Sequence, residues 1–231
     1  MPPLVKICGI STVSALDAAL AAGADMVGFV FFEKSPRHLS PDRAGELAER
    51  ARGRAKIVAL TVNADDAALG AVVRALRPDF LQLHGAETPE RVAAIGRTFG
   101  RATIKAIGVA SAGDLAAAKA YAEVAAMMLF DAKAPQDADL PGGNGVPFDW
   151  RLLKDVSREG AHLLSGGLDP GNVAEAIALS GARGVDVSSG VERAPGVKDE
   201  AKIGAFILGA RQAFARADRH EAVGEPSGRV A

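Results

Sequence analysis

Short apolar runs rich in β-branched residues alternate along this chain with longer stretches in which Ala and Leu recur at helical spacing. The runs begin near Leu4 (LVKIC), Asp25 (DMVGFVF), Lys56 (KIVALTV), Asp79 (DFLQLH), Ala102 (ATIKAI), Ala126 (AMMLFD), Ala161 (AHLLS) and Arg183 (RGVDVS), eight in all. Each is apolar on both faces, the pattern of parallel strands covered by helices. Helix candidates fall between and after them, over 11–23, 40–52, 65–77, 88–100, 111–122, 148–156, 169–181 and 198–216. Several open on Ser, Thr or Asp and stop at Gly, the residues that helix ends favour. Strand starts recur every 21 to 35 residues. Eight strand-helix units predict a closed (β/α)8 TIM barrel, and the regular count of eight disfavours the alternative of an open, doubly wound sheet. The barrel is expected over residues 1–217 as one domain. From Asp218 to Ala231, "DRHEAVGEPSGRVA" has little apolar content and reads as a disordered tail.

Composition narrows the function classes. The 231 residues suit one α/β barrel and bury a sizeable core. Lys plus Arg number 27 against 28 Asp plus Glu, so a net charge of -1 offers no bulk attraction for nucleic acid or an anionic membrane. A single cysteine forms no internal disulfide and no cysteine-rich zinc site, and suits a reducing compartment. No apolar run approaches the roughly 18 residues of a membrane span, and the amino terminus lacks a signal core. A soluble, cytoplasmic protein is expected, with no nucleic acid, membrane or obligate protein partner. The four histidines show no metal-ligand spacing, and neither a phosphate-cradling glycine-lysine loop nor a dinucleotide fingerprint occurs. No metal or cofactor is expected.

In such barrels reactive groups gather where strands end. Cys8 closes the first run. On an apolar strand a lone cysteine serves as small buried filler, whereas at a barrel mouth a cationic setting favours the thiolate, a base near neutral pH. Asp131 follows the almost wholly apolar "AMMLF", where partial desolvation favours the protonated form of a general acid; a helix cap or a bridge to Lys133 is the alternative. The turns "SGGLDPGNV" and "DVSSGVE" end the last two strands and place Gly166, Gly167, Ser188, Ser189 and Gly190 where this barrel grips phosphate. Asp186 stands beside them. Arg37, in the second strand-to-helix loop, is either a carboxylate ligand or a solvated surface arginine. Gln82 and His84 alternate on the fourth strand and share one face, which if inward looks into the barrel interior; a satisfied core histidine is the alternative. The Gly- and Pro-rich stretch 134–147 is either a lid over the mouth or a disordered insertion.

Seven blocks carry a resemblance: "VKICGI", "GFVFFEKSPRHLSP", "LQLHG", "LFDAK", "GGNGVPFDW", "LSGGLDPGNV" and "VDVSSGVERAPGVKD". In this order, from near residue 4 to near residue 210, they are similar to the signatures of the phosphoribosylanthranilate isomerases. The resemblance implies an Amadori rearrangement of a phosphorylated sugar-anthranilate substrate in tryptophan biosynthesis. It further implies Asp131 as the acid that opens the ribose ring, Cys8 as the base that takes the C2 proton, and Arg37 on the anthranilate carboxylate. Gly166, Gly167, Ser188, Ser189 and Gly190 would then clasp the phosphate. Two departures stand out: Thr61 occupies a position where a phenylalanine is expected, and Val146-Pro147 replaces a more usual polar pair. Rival readings are another sugar-phosphate isomerase or lyase, a broader isomerase that also takes a histidine-pathway ribotide, and a silent phosphate-binding subunit.

Overall fold

The computed structural model of the chain describes residues 2–133, 142, 147–154, 156 and 162–223. Eight parallel strands, β1 (Leu4–Cys8), β2 (Met26–Phe31), β3 (Lys56–Thr61), β4 (Phe80–Leu83), β5 (Ala102–Val109), β6 (Met127–Ala132), β7 (His162–Leu164) and β8 (Gly184–Val187), close into a barrel in sequence order. Each begins at or one residue after its expected start. Closure comes from β1 pairing with β8, Leu4 opposite Gly184 and Ile7 opposite Val187.

Seven α-helices lie among the described residues: α1 (Val13–Ala21), α2 (Pro41–Ala51), α3 (Asp66–Leu76), α4 (Pro89–Phe99), α5 (Ala112–Ala118), α6 (Val173–Ser180) and α7 (Glu200–Val223). Thr12, Ser40, Asp65 and Thr88 cap the first four, each side chain accepting from the backbone N–H three residues on. Three features differ from the reading of the sequence. The 148–156 stretch forms a 3-10 turn over Trp150–Leu153. The final helix runs to Val223, past the boundary drawn at Asp218, because Asp218 pairs with Arg183 beside β8 and its neighbours are good helix formers. A two-stranded antiparallel sheet follows β8: β9 (Glu192–Ala194) and β10 (Val197–Lys198).

The apolar faces divide into two layers. Ile7, Phe29, Ile57, Leu81 and Phe130 point outward and meet Leu16, Leu47, Leu69, Ile95 and Phe206 from the helices. Inside the barrel, Met26, Val58, Ile104, Ala106, Met127, Leu129 and Leu163 fill the lower cross-section. Cys8, Val30 and Leu60 form a smaller cluster with Phe32 and Val62. The two layers put the residues of one strand face inside the barrel and those of the other beneath helices, so a strand end presents its inward side chain to the mouth.

Thr61 ends β3 fully buried, and its hydroxyl has no hydrogen-bond partner among the described residues. Thr61→Val keeps the shape and removes an unmet polar group. It is expected to raise unfolding stability by about 1 kcal/mol, read as a higher denaturation midpoint in urea at unchanged slope.

Candidate active site

A cavity opens at the carboxyl ends of the strands, where this kind of barrel carries its site. Cys8, Arg37, Gln82, His84, Asp131, Gly166, Gly167, Asp186, Ser188 and Ser189 all line it. These residues come from six of the eight strands or the loops that follow them, and only the barrel's closure brings them together. Gly190 is the exception among the expected site residues. A Cβ there would lie 1.8 Å from the Leu168 carbonyl oxygen, so Gly190 stands at the contact between the two glycine-rich loops and lets them touch. Of the 134–147 stretch, only Gly142 and Pro147 fall within the described residues, and Gly142 lines the cavity.

Cys8 ends β1 with its side chain turned inward and 3% of its surface exposed. Two residues earlier on the same face, Lys6 is wholly buried inside the barrel, and its Nζ donates to Asp186 Oδ1 at 2.7 Å. The Ser165 hydroxyl donates to the other Asp186 oxygen at 3.3 Å. Burial pushes the Cys8 thiol above its ordinary value, against the pull of the Lys6 ammonium beside it, and the Asp186 charge adds to the rise. Burial works against the charge of Lys6, but Asp186 and Cys8 outweigh it and hold the ammonium above the usual lysine range. An ionised Cys8 therefore has one fixed cation next to it.

Asp131, on β6, is 4% exposed. Its Oδ1 accepts from the Ala132 backbone N–H at 2.9 Å, and its Oδ2 lies 3.3 Å from His84 Nε2. Gln82 Nε2 donates to His84 Nδ1 at 3.1 Å, which leaves the ring proton on Nε2, facing Asp131. Gln82, His84 and Asp131 thus form one chain of hydrogen bonds, and the buried Gln82 Oε1 has no partner among the described residues. The Lys133 bridge weighed against an acid role for Asp131 goes elsewhere, since Lys133 pairs with Asp114 at 2.8 Å.

Arg37 is neither solvated nor wholly free for a ligand. Its Nε and Nη2 donate to the two oxygens of Glu192 at 2.7 and 2.8 Å, so its side-on fork is occupied and its Nη1/Nη2 edge remains for an anion. Gly9 makes room for it: its φ is +73°, and a Cβ there would stand 2.6 Å from Arg37 Cδ and 3.1 Å from Ser188 Oγ. Gly166 and Gly167 also adopt positive φ, +86° and +67°, which turns the loop after β7 back over the mouth beside Ser188 and Ser189.

Lys6, Glu192 and Lys198 escaped the sequence reading. A signal existed for Lys6, a charged residue in an apolar strand with the inward parity of Cys8. Glu192 and Lys198 lie inside the "VDVSSGVERAPGVKD" block, but nothing local assigns them a partner. Among the described residues no group of three His, Cys, Asp or Glu could hold a metal ion, and no helix is long and apolar enough to cross a membrane.

Comparison with known proteins bears on this geometry. The family model described as N-(5'phosphoribosyl)anthranilate (PRA) isomerase matches residues 5–208. The N-(5'-phosphoribosyl)anthranilate isomerase of Nitrobacter hamburgensis is 60% identical over 213 residues, 92% of this chain and 95% of the relative. That of Rhizobium meliloti is 54% identical over 211 residues, 91% of this chain and 98% of the relative. Among solved structures, the phosphoribosyl anthranilate isomerase of Thermotoga maritima superposes with a TM-score of 0.80 at 35% identity, covering 92% of this chain and 100% of the other. A phosphoribosyl anthranilate isomerase in complex with reduced 1-(o-carboxyphenylamino)-1-deoxyribulose 5-phosphate gives 0.79 at 34% identity, again covering 92% and 100%.

Proposed function

The chain belongs to the N-(5'-phosphoribosyl)anthranilate isomerase family, and from that premise we propose that Cys8 and Asp131 are the base and the acid of its reaction. It is an aldose-ketose isomerase of tryptophan biosynthesis. The reaction converts N-(5-phospho-β-D-ribosyl)anthranilate to 1-(2-carboxyphenylamino)-1-deoxy-D-ribulose 5-phosphate. In the proposed sequence Asp131 gives a proton to the furanose ring oxygen, the ring opens, and C1 becomes a Schiff base with the aryl nitrogen. The Ala132 and His84 N–H groups then hold the carboxylate that remains. The Cys8 thiolate takes the C2 proton and the electron pair moves to the nitrogen, giving an enolamine. Protonation at C1 and loss of the O2 proton complete the ketone.

The observation that carries this reading is that two buried proton-handling groups, from β1 and β6, line one cavity. Only protons move, so the residues present supply the chemistry without a metal or cofactor. Arg37 offers its Nη1/Nη2 edge to the anthranilate carboxylate, and Gly166, Gly167, Ser188 and Ser189 face the phosphate, with Gly190 keeping their two loops together. A cytoplasmic enzyme acting without nucleic acid or an obligate protein partner fits this chemistry.

The test follows anthranilate fluorescence as substrate is turned over. Unchanged fluorescence with the wild-type protein would remove the activity. The pH dependence checks the base. Because burial holds the thiol above its ordinary value, its thiolate fraction is small at pH 6 and grows toward the alkaline side. Iodoacetamide modification of Cys8 should follow the same rise, with its midpoint above the usual cysteine value.

A further inference from the structure

The cation of the second loop belongs to a buried cluster of three charges. Glu192 Oε1 accepts from Arg37 Nε at 2.7 Å and from Lys198 Nζ at 2.8 Å, while Oε2 accepts from Arg37 Nη2 at 2.8 Å and from the Gly196 N–H at 3.1 Å. All three side chains are at most 8% exposed. Lys198 Nζ also donates to the Ser188 carbonyl at 2.8 Å and to its hydroxyl at 3.3 Å. Burial lowers the Lys198 ammonium from its usual range, and Glu192 resists that loss of charge. Glu192, for its part, is pulled below the ordinary carboxylate range by Arg37 and Lys198 even though burial opposes its charge.

Glu192 and Lys198 both come from the β9–β10 hairpin, an addition that the barrel needs neither for closure nor for its core. The hairpin is pressed onto the second loop: Gly196 has φ +78°, and a Cβ there would lie 2.4 Å from the Pro36 carbonyl oxygen. Burying ions is costly even when they are paired, so such a cluster contributes little to stability beyond what apolar residues of similar volume would. What it does provide is orientation. Glu192 fixes the guanidinium of this cavity-lining residue by its side-on fork, which leaves the Nη1/Nη2 edge for an anion. The fully ionised cluster carries one excess positive charge, two cations against one carboxylate, and an anion at that edge neutralises it.

We propose that Glu192 and Lys198 are positioning residues that set the enzyme's selection for the carboxylate on the substrate's aryl ring, acting through Arg37. The proposal rests on Arg37 being the carboxylate ligand. Lys198 further ties that subsite to the loop at Ser188, so the two anionic ends of one substrate are recognised by a single braced unit.

Calorimetric titration with two ligands separates these ideas: reduced 1-(o-carboxyphenylamino)-1-deoxyribulose 5-phosphate and its counterpart lacking the ring carboxyl group. The wild type should prefer the carboxylated ligand by about tenfold or more, the magnitude of a charge-assisted hydrogen bond. Glu192→Gln should weaken the carboxylated ligand by about tenfold and leave the other within about twofold, with KM rising more than kcat falls. Lys198→Met, which keeps the Arg37–Glu192 pair but removes the excess charge, should also shrink the preference. Equal weakening of both ligands in both variants would overturn the positioning role while leaving Arg37 as the carboxylate ligand. A wild type that binds both ligands equally would overturn the Arg37 reading itself. Retention of the full preference by Lys198→Met, should Glu192→Gln fail to fold, would equally overturn the proposal.

Discussion

Asp131→Asn is expected to lower kcat by about 10²- to 10⁴-fold, and Cys8→Ala by a similar factor, with the barrel intact in both variants. Asparagine keeps the shape of Asp131, but its single carbonyl oxygen can accept from only one of the Ala132 and His84 N–H groups, and it has no acidic proton to give the ring oxygen. Alanine at position 8 leaves the mouth without a group to take the C2 proton. Rates from anthranilate fluorescence, with circular dichroism to verify folding, check both. The two losses should not multiply in the double variant, because ring opening and proton removal are successive steps and the slower of them sets the turnover. Near-normal rates in either single variant would remove that residue from the mechanism.

Lys6→Met is expected to destabilise the fold by about 3–5 kcal/mol, the cost of leaving a buried charge without its partner. Asp186 lies at the inner wall of the barrel with Lys6 Nζ 2.7 Å away, and the Ser165 hydroxyl is too weak a donor to replace an ammonium. Asp186→Asn added to Lys6→Met should recover much of the loss, since the pair then vanishes together; urea denaturation of the two singles and the double gives the coupling. A second readout separates stability from chemistry. With Lys6 gone, Cys8 loses its nearest cation, so its iodoacetamide reactivity should shift to still higher pH. Lost stability with unshifted reactivity would show that Lys6 serves the fold alone.

The strands were legible because both faces of each are buried, and a continuous apolar run bounded by turn residues has few other readings. Cys8, Asp131 and the glycine-rich loops were legible because strand ends mark the mouth once eight units are counted. The rest depends on long-range partners. Lys6 meets an aspartate 180 residues away and Arg37 a glutamate 155 residues away, and no window of sequence relates such pairs. The β9–β10 hairpin has strands of three and two residues, too short for any period to emerge. The helical stretch from Asp218 to Val223 is polar enough to pass for tail, and the contact of Asp218 with Arg183 ties its start to the barrel.

Closure of the sheet by β1 and β8 has a consequence for biosynthesis. Leu4 to Ile7 emerge from the ribosome about 180 residues before the strand they must pair with, so throughout elongation the nascent barrel carries an open edge able to recruit a neighbouring chain. Arg211, midway along α7, then reaches back to the carbonyls of Pro3 and Gly23 and to Asp25, fastening the first strand from the far end of translation. Cys8 and Asp131, the proposed base and acid, thus come to share one closed mouth only after nearly the whole polypeptide has been made, and a premature stop before residue 184 is expected to leave an aggregation-prone fragment rather than a slow enzyme.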